Sequence, residues 1–170
     1  VGATIRRDWS STGLWYDSLR TRHTTVHDVD IHQTNLGIYT QQTFYQGPLS
    51  VILGLRADQF FFDVQPDAGQ QTAEQSNGAA SEFVLSPKAT VTYAVLPTFT
   101  LFANSGFGFH SNDARVAVRA PAGSTVPRAF GAELGMRWGG PQAAVSVAAW
   151  LLDLEEEFVW IGDEGTTDEA

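Results

Sequence analysis

The sequence predicts an all-β fold: an antiparallel up-and-down segment of a transmembrane β-barrel, with about seven long strands. Three observations carry this. Apolar residues recur at every second position, the alternating runs are longer than those of soluble sheets, and the connections between them alternate between short and long. The alternation is cleanest between Leu85 and Arg137. Leu85, Ala89, Val91, Tyr93 and Val95 share one face, against Ser86, Lys88, Thr90 and Thr92. Phe99, Leu101, Ala103, Phe107 and Phe109 oppose Thr98, Thr100, Asn104, Gly106, Gly108 and His110. Phe130, Ala132, Leu134, Met136 and Trp138 oppose Gly131, Glu133, Gly135 and Arg137. One apolar and one wet face per strand is the period-two pattern of a sheet with different solvents on its two sides.

Taken in order, residues 1–9 read as the end of a strand, and Val1 already stands inside that pattern, with no signal peptide before it. Residues 10–32 are polar and read as a long loop, or a twisted hairpin. Residues 33–45 form a strand with Leu36, Ile38 and Phe44 against Asn35, Gly37, Tyr39 and Gln41. Gln46–Leu49 is a Gly-Pro turn. Residues 50–64 alternate again, with Val51, Leu53, Leu55, Ala57 and Phe61 on one side. Residues 65–82 are Gly/Ala/Gln-rich and read as a loop. The two strands that follow meet at Leu96-Pro97. A loop over about 111–128 precedes the strand 129–138. After the turn at 139–142, residues 143–163 form a last strand whose apolar phase shifts near Leu151-Leu152, which predicts a bulge. An acidic loop closes the sequence.

Short connections at 46–49, 96–97 and 139–142 thus alternate with long ones, as in an outer-membrane barrel wall. Soluble strands cluster at about 5–6 residues, and roughly 9–11 cross a bilayer at the usual tilt. Aromatics fall at two levels: Tyr45, Tyr93, Phe99 and Trp138 toward the short turns, and Phe61, Phe107, Phe109, Phe130, Phe158 and Trp160 toward the long loops. Two aromatic belts are expected where strands cross two membrane interfaces.

Composition is consistent with this and removes other classes. The 170 residues are 43% hydrophobic, but the apolar positions are dispersed, and no run approaches the roughly 18 that a membrane helix needs. Cysteine is absent, so disulfide and cysteine-metal frameworks are excluded. A net charge of −9 argues against nucleic acid as a partner.

The runs LSPKATVTYAVLPTFTLFANSGFGFHSNDAR, PRAFGAELGMRW and WLLDLEEEFVWIGDEGTT, in this order, resemble the barrel domain of TonB-dependent outer-membrane receptors. TNLGIYTQQTFYQGPLSVILGLRADQFFFDV looks like the preceding strand pair of that family. The resemblance implies a barrel of about 22 strands, filled by a plug domain. On that reading residues 1–170 are an internal piece of the barrel, truncated at both ends. The plug, the TonB box and the terminal aromatic strand lie outside it. The implied location is the bacterial outer membrane. The implied partners are outer-membrane lipid, the plug and remaining strands of the same protein, TonB through the N-terminal part, and a small-molecule or metal-chelate ligand. The implied function is uptake of a scarce nutrient such as an iron chelate, a siderophore, with no enzymatic step and no cofactor. The residues alone leave open a passive porin-like barrel or a soluble β-sandwich binding module.

Candidate chemistry is sparse. His23, His27 and His32 with Asp28 and Asp30 are the densest ligand-type cluster, but strand parity divides them between two faces, which favours a solvated loop over a metal site. Asp153, Glu155 and Glu157 share a face that suits a wet lumen or rim better than acid-base work. The Gly106-Phe107-Gly108-Phe109 run has no helix after it and is no phosphate loop; its glycines predict close approach of another segment, such as a plug. Ligand contact is expected at His110, Asn112, Asp113, Arg115, Arg128 and Glu133, near the long-loop ends. Arginines in a wet lumen suit anionic chelates. The competing role for the same residues is a hydrogen-bond network holding the wall.

Overall fold

The computed structural model describes residues 1–66, 77–110, 114–119, 126–155, 158–161 and 166–169. Seven strands pair antiparallel in strict chain order: β1 (Gly2–Ser18), β2 (Thr21–Gln46), β3 (Leu49–Pro66), β4 (Gly78–Leu96), β5 (Phe99–Phe109), β6 (Arg128–Gly139) and β7 (Ala144–Leu154). A short helix, α1 (Ala114–Arg119), lies between β5 and β6. A separate hairpin pairs β8 (Phe158–Ile161) with β9 (Thr166–Glu169). The large sheet curls as part of a barrel wall.

Cross-strand register divides the wall into two surfaces. Directly opposed residues lie on one side of a sheet. The rows Ile5–Leu36–Gln59–Phe83 and Ala3–Ile38–Ala57–Leu85 therefore share one face. Tyr93–Leu101–Met136–Val147 and Ala103–Leu134–Ala149 continue it. This outer face is apolar yet open: Leu53, Leu55, Phe61, Phe83, Leu134, Met136 and Trp138 are all exposed. The opposite rows hold Thr4, Asn35, Arg56, Asp58, Ser86, Lys88, Asn104, Glu133 and Arg137. A sheet with its greasy side bare and its polar side turned inward is built for lipid outside and water inside.

The structure departs from sequence expectation in several places. Of the two readings of residues 10–32, the twisted hairpin holds and the loop does not: they extend β1 and β2 into one hairpin that turns at Leu19-Arg20. Their polarity on both faces reflects water on both sides. Register slips at Leu14/Trp15 and Tyr16/Asp17 twist this projection, and Arg22 stacks its guanidinium 3.6 Å above the Trp15 ring. The expected bulge at Leu151-Leu152 is absent, since β6 and β7 pair without a slip from Gly139↔Ala144 to Ala129↔Leu154. The phase shift has another cause: β7 is apolar on both faces, and it ends at Leu154. Tyr45 opposes Ser50 on the inner face, so Phe44 is the outward aromatic at that turn. Side-chain positions of Phe158 and Trp160 lie outside the described residues.

Helix α1, between β5 and β6, does not stand away from the wall: it packs inward on β2, β3 and β4. Inward-facing Phe60, Phe62 and Val64 of β3, Val84 of β4 and Val29 of β2 are buried beneath Ala114, Ala117 and Val126. Phe60 stacks on Phe62 (6.0 Å between centroids) and meets Phe109 edge-on at 5.3 Å. Phe109 therefore joins this inner cluster, and does not belong to the outer belt where its alternation with Phe107 had placed it. Small Ala114 and Ala117 let the helix approach the aromatic floor closely.

Two tests follow from these elements. Leu19 (φ 52°) and Arg20 (φ 64°) both occupy the left-handed region, the requirement of a two-residue type I′ hairpin turn. Leu19→Asn with Arg20→Gly should stabilise the hairpin by about 1 kcal/mol per position. Slower amide exchange at the turn-proximal pairs is the readout, and unchanged exchange contradicts this turn geometry. Phe62→Ala should cost about 3–5 kcal/mol locally and expose α1 to protease while β5–β7 stay protected.

Candidate functional site

The inner wall carries the candidate chemistry, and glycines decide where side chains can cross it. Gly37 of β2 lies between Thr4 of β1 and Asp58 of β3. Arg56 uses this gap. Its Nε donates to Asp58 Oδ2 (2.6 Å), and its Nη2 donates to both Asp58 Oδ1 (2.7 Å) and Thr4 Oγ1 (3.2 Å). Asn35 Nδ2 adds a donor to Asp58 Oδ1 at 3.3 Å. A Cβ on Gly37 would lie 2.6–2.7 Å from Arg56 Nη2, Asp58 Oδ1 and Thr4 Oγ1. The bridge over three strands thus requires glycine there. Asp58 is 0% exposed, and its bidentate arginine is what makes that burial tolerable.

A second group lies across β4–β7. Lys88, the single lysine, has glycine opposite it on both neighbouring strands, Gly54 and Gly106. Its stem runs over Gly54, with Cγ and Cε each 2.9 Å from where a Cβ would stand. Gly106 is crowded by Lys88 itself, so the wall's own lysine accounts for this glycine without any other segment; Gly108 faces open space. Asn104 Nδ2 donates to Glu133 Oε2 at 2.8 Å. Phe102 covers Gly135 and carries the Arg137 guanidinium 4.5 Å above its ring. Lys88, Asn104, Gly131, Glu133, Trp150 and Leu152 border a concavity of about 570 Å³. Trp150 is 74% exposed at its rim. A cation, an amide-carboxylate pair and a bare indole on one wet surface can grip a small polar ligand with an aromatic or apolar part.

Of the six residues expected at the ligand, the four that are described lie apart from one another. Glu133 belongs to this concavity. Arg128 pairs with Phe109 and sits exposed at the loop base, where its N–H donates to Glu155 Oε2 (3.1 Å) and its carbonyl accepts from Glu155 N (2.9 Å). His110 is exposed just past β5, its N–H donating to Pro127 O at 3.3 Å. Arg115 is half-buried on α1 and already has an interaction partner. Asn112 and Asp113 lie outside the described residues. Sequence reading missed Arg56, Asp58, Lys88, Trp150 and α1. The signal for Lys88 was present, a lone lysine with glycine on two other strands, but it needs the register to be seen. No group of three or more metal-ligand side chains occurs among the described residues, and the His27 side chain lies outside them.

Arg56→Met should destabilise the protein by about 3 kcal/mol, because Asp58 stays buried without its partner. The double variant R56M/D58L should recover most of that loss. Urea unfolding of refolded protein in detergent reads both, and equal losses in the single and double variants would overturn the account.

Comparison with known proteins gives a consistent picture. No curated protein matches the chain. Among solved structures, the FrpB iron transporter from Neisseria meningitidis (F3-3 variant) is similar, with a TM-score of 0.63 at 15% identity; the match covers 85% of this chain and 22% of that one. At that identity the likeness is one of fold, and the chain spans only 22% of the length of that transporter. The family model described as TonB dependent receptor-like, beta-barrel matches residues 2–169. With its inward polar wall, its bare apolar exterior and a family match over nearly its whole length, this chain belongs to the TonB-dependent receptor-like β-barrel family.

Proposed function

We propose that residues 1–170 form part of the barrel wall of an outer-membrane receptor that imports a scarce nutrient, an iron chelate such as a siderophore. The complete barrel, of about 22 strands, encloses a plug and is driven through TonB. The observation that supports this most is the two-solvent wall: a largely apolar exterior backed by inward Lys88, Asn104, Glu133 and Arg137. The ligand passes along the β4–β7 side of this wall, because α1 occupies the inner face over β2–β4. Glu133, Lys88 and Trp150 contact it, and His110, Asn112, Asp113, Arg115 and Arg128 act at the loop end. Cationic Lys88 and Arg137 suit an anionic chelate, and Trp150 suits its aromatic or apolar parts.

The test is uptake of a labelled ferric chelate by iron-starved cells expressing the complete receptor, with and without TonB. Energy-dependent uptake is expected, with Lys88→Ala and Trp150→Ala each lowering apparent affinity about tenfold. Uptake that persists without TonB identifies a passive pore instead. Wild-type affinity in both variants moves the ligand path away from β4–β7.

A further inference from the structure

We propose that Gly131 is a specificity-determining residue of the β4–β7 concavity: its bare backbone is the floor on which a flat aromatic ring of the ligand lies. The glycines of the inner wall fall into two groups. Gly37, Gly54, Gly106 and Gly135 each give room to a side chain of the wall itself, that of Arg56, Lys88 or Phe102. Gly131 does not: a Cβ there would meet nothing within 4 Å, and its φ lies outside the left-handed region. Glycine weakens the middle of a strand and is kept where another group comes close to the backbone. No wall side chain among the described residues uses the space over Gly131, so the group that does comes from the lumen.

Register gives that space a shape. One inward row runs Lys88–Gly106–Gly131–Leu152 across β4–β7, so two adjacent strands carry no side chain between Lys88 and Leu152. At about 4.8 Å per strand spacing, the flanking strands stand roughly 14 Å apart, enough for one ring lying flat. The Lys88 stem turns away over Gly54 and leaves the strip clear. The next row is Asn104–Glu133–Trp150, where Asn104 Nδ2 donates to Glu133 Oε2 at 2.8 Å. This row closes one end of the strip. The Glu133 carboxylate meets the electropositive edge of an aromatic ring, and the exposed Trp150 indole packs beside it. A saturated ring is puckered, thicker and without such an edge, so it gains less from both. The strip therefore selects a flat ring over a saturated one of the same size.

This inference rests on the β4–β7 concavity being the ligand path, as proposed above. Two hexadentate ferric trihydroxamates that differ only in a pendant phenyl or a pendant cyclohexyl ring are titrated into the full-length protein in detergent, with tryptophan fluorescence quenching as the readout. The phenyl chelate should bind about tenfold more tightly. Gly131→Val should lower its affinity about tenfold and bring the two chelates level, with Gly131→Ala in between. Both substitutions enter open space, so heat-modifiable gel mobility should match that of the wild type. A preference that persists in Gly131→Val, or a wild type that binds both chelates equally, overturns the assignment. So does Gly131→Val weakening both chelates by the same factor, which is the mark of another part of the protein resting on Gly131. Loss of TonB-dependent uptake with the phenyl preference intact counts against the transport function only, and binding of neither chelate overturns both.

Discussion

The unbroken backbone ladder is the constraint on which everything else depends. Seven strands pair in chain order, and slips occur only in the projecting hairpin and at the β4–β5 turn. In hydrocarbon, an unpaired N–H or C=O has no alternative partner, so the ladder must be continuous at that depth. Continuity in turn preserves parity, because any one-residue slip would exchange the lipid and water faces of a whole strand. The bulges sit beside Trp15 and Tyr16, where water is available to unpaired groups.

Within that frame the wall is not uniform. Over β2–β4 the inner face turns apolar toward the long-loop end and is covered by α1, a small core held by Phe60, Phe62 and Val84. Just below it the buried Asp58 and its arginine form a polar seam. Over β4–β7 the inner face stays open, with Lys88, Glu133 and Trp150 available. Among the described residues, α1 covers one part of the inner wall and nothing covers the part over β4–β7. This asymmetry gives the proposed transport path a side.

Glycine makes the polar wall possible. A β-sheet presents side chains at every position, and long charged groups can cross a strand only where one is missing. Gly37 lets Arg56 reach Thr4, and Gly54 lets Lys88 lie flat. Gly135 accepts the Phe102 ring, on which Arg137 then rests. In each case the glycine and the residue it serves lie on different strands.

The central parts of the strands between residues 33 and 139, most of their faces and the short turns were legible from the period of the apolar residues. That period depends only on backbone geometry and the two solvents, both of which are local. The family resemblance was legible from the same runs. Other features required the fold. The polar stretch from Ser10 to His32 could be loop or hairpin, since alternation is silent where both faces are wet. Residues 114–119 are a helix because they have an aromatic floor to pack on, and that floor comes from β3. The candidate ligand residues were chosen by nearness to loops, yet of the described ones only Glu133 lies with Lys88 and Trp150. Parity assigns a residue to a face, while register decides which residues on that face meet. Register is a property of paired strands, so the site is defined only once the sheet is assembled.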